Sequence, residues 1–236
     1  MTRTTQIGYL FDPLCGWCYG ASARIKALTE LQGLNLTLMP TGLFANADTP
    51  WMDDAFAAYV WAADQRIARL TGQHFSENYR NKVLTDRTSR LNSGPATLAL
   101  TAVARTAPTR ELDALRAIQT ARYVEGRDIT ATPVLAQILQ DLTLNDAASK
   151  LQANNSDLIV ANNARIKAAQ VQMRRFGVDG VPALVVDEGK AQRLIASNSI
   201  FGDKNIVAKL SGTASLAPEL SAHEQTQMEP SCFPDK

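Results

Sequence analysis

QIGYLFDPLCGWCYG, residues 6–20, changes pattern twice in fifteen positions. Gln6–Asp12 is a run of β-forming residues that ends at Pro13, which reads as a short buried strand closed by a turn. From Gly16 the chain switches to helix formers (Ala21, Ala23, Ile25, Ala27, Leu28, Leu31), with Gly33 as the stop. Leu34–Pro40 then alternates apolar and polar residues, as a half-exposed strand does. The opening forty residues are therefore read as strand, helix, strand. A connection of helical length predicts that the two strands run parallel.

Outward from that unit, the chain from 45 to 176 is helical in pattern. Trp51–Leu70 carries Phe56, Val60, Ala63, Ile67 and Leu70 at three- and four-residue steps, one apolar face of a helix. Gly94-Pro95 opens an Ala/Leu-rich stretch to Ala107, with the proline where its missing N–H costs little. Thr109–Val124, Thr132–Leu142 and Asn155–Phe176 follow, the last placed for capping by Gly177. β character returns in Val181–Val186. Asp187-Glu188-Gly189-Lys190 reads as a turn, Gln192–Ala196 as a hairpin partner and Asn205–Leu210 as a short helix. The resulting plan is α/β: a first core part over 1–44, a helical insertion over 45–176, a second core part over 177–212, and a weakly ordered tail over 213–236.

Charge and composition narrow the partners. Basic residues number 24 and acidic residues 23, for a formal net charge of +1, with 45% apolar residues. This is an ordinary globular balance, with neither a basic stripe for nucleic acid nor a polybasic cluster for a membrane surface. Met1–Gln6 is polar, and the apolar run after it extends only from Ile7 to Phe11, too short for a secretory signal. No segment approaches the roughly 20 apolar residues of a membrane span. The expected location is the cytoplasm. There a close cysteine pair is catalytic or metal-binding rather than structural, and an odd count of 3 cysteines excludes a disulfide scaffold.

Cys15 and Cys18 carry the chemistry. Cys15 falls where the strand ends and the helix begins, and the unpaired N–H groups of a helix start favour thiolate over thiol. The thiolate is the form that attacks a disulfide. Cys18 lies one turn along on the same side, placed to close an intramolecular disulfide and expel the partner. A zinc half-site is the plain alternative; it would need two more ligands, and Cys232, His74 and His223 are isolated. Far downstream, Gly180-Val181-Pro182 leads into the returning strand. A cis bond before Pro182 would leave the Val181 backbone able to pair with an extended peptide; a trans turn is the ordinary case.

Those segments resemble the DsbA-like thioredoxin superfamily, and most closely its leaderless FrnE-like branch of predicted disulfide isomerases. The likeness is carried by Asp12-Pro13-Leu14-Cys15-Gly16-Trp17-Cys18-Tyr19-Gly20, Asn92-Ser93-Gly94-Pro95-Ala96, Glu125-Gly126-Arg127-Asp128-Ile129 and Gly180-Val181-Pro182. It implies a thioredoxin core interrupted by a helical domain, with Cys15 the exposed nucleophile, Cys18 its buried partner and Pro182 a cis-proline. DsbA itself carries Pro-His between its cysteines, whereas Gly16-Trp17 here offers no titratable group. A milder oxidant, a reductant or an isomerase is expected.

Other residues have two readings each. Trp17 forms a rim that touches substrate, or covers the helix start; Tyr19 is read as packing. Asp12 caps the turn or serves Cys18 as a proton acceptor. Asn92 and Ser93 cap the helix at Gly94, with contact to substrate or glutathione as the alternative. Gly126-Arg127-Asp128 is read as a turn, Cys232 as an exposed thiol, and Trp51, Phe56, Tyr59 and Trp61 as core. The activity expected is thiol–disulfide exchange with thiol or disulfide-bearing proteins. No cofactor beyond the Cys15–Cys18 pair is expected, and glutathione is a candidate co-substrate. Its rivals are a glutathione-dependent transferase or isomerase of the kappa or hydroxychromene-carboxylate isomerase type, and a chaperone-like binding protein.

Overall fold

The fold is taken from a computed structural model that describes residues 4–45, 49, 51–88, 90–153, 155–189 and 191–210. The expected weakly ordered tail, with Cys232 and His223, lies outside the described residues.

Strands β1 (Thr5–Phe11) and β2 (Leu34–Pro40) pair in parallel, from Thr5 opposite Leu34 to Phe11 opposite Pro40, with α1 (Gly16–Thr29) as the crossover. Strand β3 (Ala183–Asp187) pairs antiparallel with β1, and β4 (Gln192–Ile195) antiparallel with β3, giving the order β2-β1-β3-β4. The two central strands are buried on both faces, which explains why β1 and β3 read as nearly continuous apolar runs. Leu10 sits opposite Ala183. This pairing brings the end of β1, and Cys15 after it, to Val181 and Pro182.

Between β2 and β3 run α2 (Asp54–Thr71), α3 (Glu77–Lys82), α4 (Gly94–Thr106), a 3-10 turn (Pro108–Arg110), α5 (Glu111–Tyr123), α6 (Thr132–Asp141), α7 (Asn145–Ala153) and α8 (Ser156–Phe176). After β4 come α9 (Ser197–Gly202) and α10 (Ile206–Leu210). The long helices start and stop where their caps stand. Asp53 accepts from Phe56 N at 2.7 Å and Asn155 from Leu158 N at 2.9 Å, while Gly72 and Gly177 end α2 and α8 in the left-handed conformation. Short α3, α7 and α9 escape the sequence pattern because six to nine residues hold too few turns for a period to show.

Helix α4 is the hub of the helical part. Its Ala96, Ala99, Leu100, Ala102 and Val103 are fully buried, and small side chains let α5, α6, α7 and α8 come close. Helix α8 lies between α4 and the edge strand β2. Arg165 donates to Leu38 O at 3.1 Å and to Thr101 Oγ1 at 3.0 Å, pairs with Glu111, and so ties β2 to α4 and α5. The Glu125–Ile129 segment is a turn between α5 and α6. Gly126 has φ +70°, and a Cβ there would lie 2.5 Å from the Asn78 carbonyl oxygen, so the glycine answers both to backbone geometry and to close approach.

Helix α2 behaves as a lid on α1 rather than as a core helix. Phe56 and Ile67 are buried, Val60 and Ala63 half-buried, and Leu70, expected on the apolar face, is 49% exposed near the free end. Trp51 lies before the helix, exposed, under Arg90; it is not core. The two helices approach where α1 has no side chains: a Cβ on Gly16 would lie 2.4 Å from Asp64 Oδ1, and one on Gly20 2.6 Å from Ile67 Cγ2.

Gly20→Ala therefore sets two effects against each other. Alanine in a helix interior stabilises by roughly 1 kcal/mol, whereas overpacking against a branched, buried Ile67 costs about 1–3 kcal/mol. A net loss of stability is expected in urea unfolding at constant slope. A higher unfolding midpoint would show that α2 does not rest on α1 at this point.

Candidate active site

Cys15 is the N-cap of α1, with extended backbone (φ −82°, ψ 117°) and no side-chain capping bond. Its N–H donates to Asp12 O at 3.1 Å, closing the turn that Pro13 begins. The Asp12 carboxylate is fully buried and accepts from Leu14 N at 2.9 Å, Phe44 N at 3.1 Å and Ser93 Oγ at 2.7 Å, with the Leu43 N–H acting on it as well. Burial pushes its pKa up while these donors pull it back. Asp12 is thus the turn's anchor. Tyr9, rather than Asp12, reaches the second cysteine, donating from its hydroxyl to Cys18 O at 3.3 Å.

The N–H of Gly94 is taken by Asn92 Oδ1 at 2.9 Å, while Ser93, the formal N-cap of α4, makes no capping bond because its hydroxyl is turned to Asp12. Of the two residues expected to cap this helix, only Asn92 does so.

The Cys15 thiol donates to Val181 O at 3.5 Å. The Val181–Pro182 peptide bond is cis, and Pro182 O accepts from Ser197 Oγ at 2.5 Å. Val181 and Pro182 are buried, so their backbone is not presented at the surface as a ready edge for an extended peptide.

One expectation is corrected here. Cys15 is not the exposed member of the pair: it is 1% exposed, the same as Cys18. Helix α2 lies across the start of α1, and Tyr123 from α5 donates its hydroxyl to Leu14 O at 2.7 Å, directly beside Cys15. Access is through a pocket of about 480 Å³ of empty space, open mouth included, whose walls are mainly Phe44, Phe56, Tyr59, Val60 and Leu91. Trp17 is 6% exposed, packs on Phe201 with ring centroids 5.1 Å apart, and also lines the pocket. Tyr19 is packing, stacked on Tyr123.

The pocket also holds a polar cluster that the sequence did not reveal. Asp64 of α2 accepts from the Tyr79 hydroxyl at 2.9 Å, and Arg122 of α5 lies over the rings of Tyr79 and Tyr123. All four residues line the same pocket as Cys15. Burial raises the Asp64 pKa to about 7, against the opposing pull of the Tyr79 hydrogen bond and the Arg122 charge. Arg122 is 3% exposed, and its Nε has no hydrogen-bond partner. One signal was present: Asp64 sits four residues after Val60 and three before Ile67, a lone acid inside the apolar stripe. Nothing in the sequence tied it to Arg122.

The model of the DSBA-like thioredoxin domain matches residues 6–206. The chain belongs to that family. Among solved structures it is similar to the cytosolic disulfide reductase DsbM from Pseudomonas aeruginosa, with 31% identity, 88% of this chain and 97% of that one covered, and a TM-score of 0.77. The same reductase with GSH matches at 30% identity over 88% and 98%, with a TM-score of 0.75. A 2-hydroxychromene-2-carboxylate isomerase shares the fold at 17% identity over 87% and 95%, with a TM-score of 0.59. No curated protein sequence matches. Family membership fixes the type of fold, a DsbA-like oxidoreductase fold in which Cys15 and Cys18 stand at CxxC spacing. Among the described residues, no helix is long and apolar enough to cross a membrane.

The Asp64 environment gives stability a pH signature. A carboxyl whose folded pKa lies near 7 instead of 3.8 favours the fold in its neutral form, a contribution complete below about pH 4 and lost as pH rises through about 7. Asp64→Asn keeps an acceptor for Tyr79 and removes the titration. The unfolding free energy of the natural protein is expected to fall relative to that variant between pH 4 and pH 8. Parallel pH profiles in urea unfolding would place the Asp64 carboxyl in water.

Proposed function

We propose that the protein is a cytosolic thiol–disulfide oxidoreductase in which Cys15 attacks and Cys18 resolves. The observation that carries this reading is the position of Cys15: N-cap of α1, sulfur on the Val181 carbonyl, at a pocket that gives access from outside. The Cys15 thiolate attacks one sulfur of a partner disulfide, the partner's S–S bond breaks, and one partner thiolate leaves. Cys18, once deprotonated, attacks the Cys15 sulfur and releases the second partner thiol. The partner gains two electrons, and the pair ends as an intramolecular disulfide. Run backwards, the same steps oxidise a dithiol. Two thiol equivalents, with glutathione as the candidate, return the pair to the reduced state.

Likeness to a cytosolic disulfide reductase at about a third identity over nearly its whole length supports the reductive direction and the cytosol. The neighbour bound to GSH supports glutathione as co-substrate. Gly16-Trp17 adds no charge next to the cysteines, in keeping with a pair less oxidising than one with a histidine there. The isomerase reading has the fold alone behind it, and Cys18 has no part in it.

Cys15→Ser is expected to abolish reduction of a mixed glutathione disulfide. Cys18→Ser is expected to stall and accumulate a covalent adduct with one glutathionyl unit, visible by intact mass. The reduction potential of the pair is expected well below the roughly −120 mV of a strong oxidant. Full activity in Cys15→Ser would transfer the protein to the binding-protein reading, and full activity in Cys18→Ser to the glutathione-dependent isomerase or transferase reading.

A further inference from the structure

Among the described residues, the buried side-chain atoms without a hydrogen-bond partner are Gln119 Nε2 and Oε1, Arg122 Nε and Gln172 Oε1. Of these, Arg122 alone lines the Cys15 pocket, and it also borders a second pocket with Asp86 and Asp128. A guanidinium is always charged and presents a planar fork suited to a carboxylate. Here it is 3% exposed, with its Nε donor unused, on a pocket that is otherwise apolar apart from Asp64, three tyrosines and the thiol itself. The guanidinium also engages the Tyr79 and Tyr123 hydroxyls, so it is the Nε donor alone that is left over, and a buried N–H without an acceptor is unfavourable and rare.

We propose that Arg122 receives the carboxylate of a small thiol whose disulfide exchanges with Cys15, so that the pocket selects acidic low-molecular-weight disulfides. This rests on the exchange reading above and names its substrate class. The apolar walls admit the carbon chain, Cys15 meets the sulfur, and Arg122 compensates the charge that would otherwise be lost from water. The groups facing Asp64 are Tyr79 from α3, Arg122 and Tyr123 from α5, and the Gly16 backbone beside Cys15 from α1. Asp64 acts on Arg122 through its charge, without a direct ion pair: ionised it weakens the pull of the guanidinium on a ligand carboxylate, and protonated it does not. Selection for acids is therefore stronger at pH 6 than at pH 8.

The test uses three disulfides of similar length and different charge: dithiodipropionate, hydroxyethyl disulfide and cystamine. Each is mixed with the pre-reduced full chain. Each rate is divided by the rate of the same disulfide with dithiothreitol, which removes differences in leaving group. A normalised preference for dithiodipropionate over cystamine of roughly tenfold or more is expected, as for one charge-assisted hydrogen bond. It is expected to shrink towards one in Arg122→Gln, with the hydroxyethyl disulfide rate serving as the internal measure of a folded site. Should Arg122→Gln fail to fold, Asp64→Asn decides: its preference is expected to exceed that of the natural protein at pH 8 and to lose its pH dependence. No preference in the natural protein, a preference that survives Arg122→Gln, or one that Asp64→Asn leaves unchanged overturns the proposal. Lack of reaction with all three disulfides removes the exchange reading itself, and the acid selectivity with it.

Discussion

A single buried carboxylate joins the parts of this molecule that must not drift apart. Asp12 follows β1 and takes hydrogen bonds from the turn that carries Cys15, from Phe44 in the loop after β2, and from Ser93 at the head of α4. Ser93 N returns a bond to Phe44 O at 2.9 Å, so the loop and the helix head are also tied to each other. An uncompensated carboxylate in such a place would be strongly unfavourable; its several donors make it tolerable. The sheet and the helical part are thereby registered at the cysteine, and any shift of α4 would leave Asp12 short of an acceptor's due.

With that register fixed, α2 closes over α1, and the glycine between the cysteines has a steric reason. Gly16 is where Asp64 rests and Gly20 is where Ile67 rests. The same close approach that fills the groove buries Cys15 and turns a surface thiol into one reached through a pocket. Low polarity around the sulfur strengthens each electrostatic interaction made there and favours partners that fit the opening.

The β-α-β start and the β-hairpin return were legible because each element has a clear period and a clear stop. Pro13, Gly33 and Gly177 act through backbone geometry that the residue type itself dictates. Parallel pairing of β1 and β2 followed from the length of the connection. Burial of Cys15 was not legible, since it depends on where α2 and Tyr123 come to rest, more than forty and a hundred positions away. Leu70 and Trp51 went the other way: apolar residues at apolar spacing that end up in solvent because the elements covering their neighbours stop short of them. Ser93 shows a third kind of failure. Its local capping preference is overridden by one strong acceptor 81 positions back in the chain.

Asp64 and Arg122 mark the place where local consistency breaks down. Burying an ionisable side chain without an ion-pair partner is costly, and an orphaned buried donor adds about 1–3 kcal/mol of cost. A sequence shaped for stability alone has better choices at both positions, particularly between aromatic rings that already pack well. Both groups instead line a pocket that reaches Cys15, contributed by α2 and α5. Gly16 and Trp17 bring no charge to the cysteines; the helices between β2 and β3 do. On that argument these helices are part of the chemistry, supplying the electrostatics that the motif itself lacks.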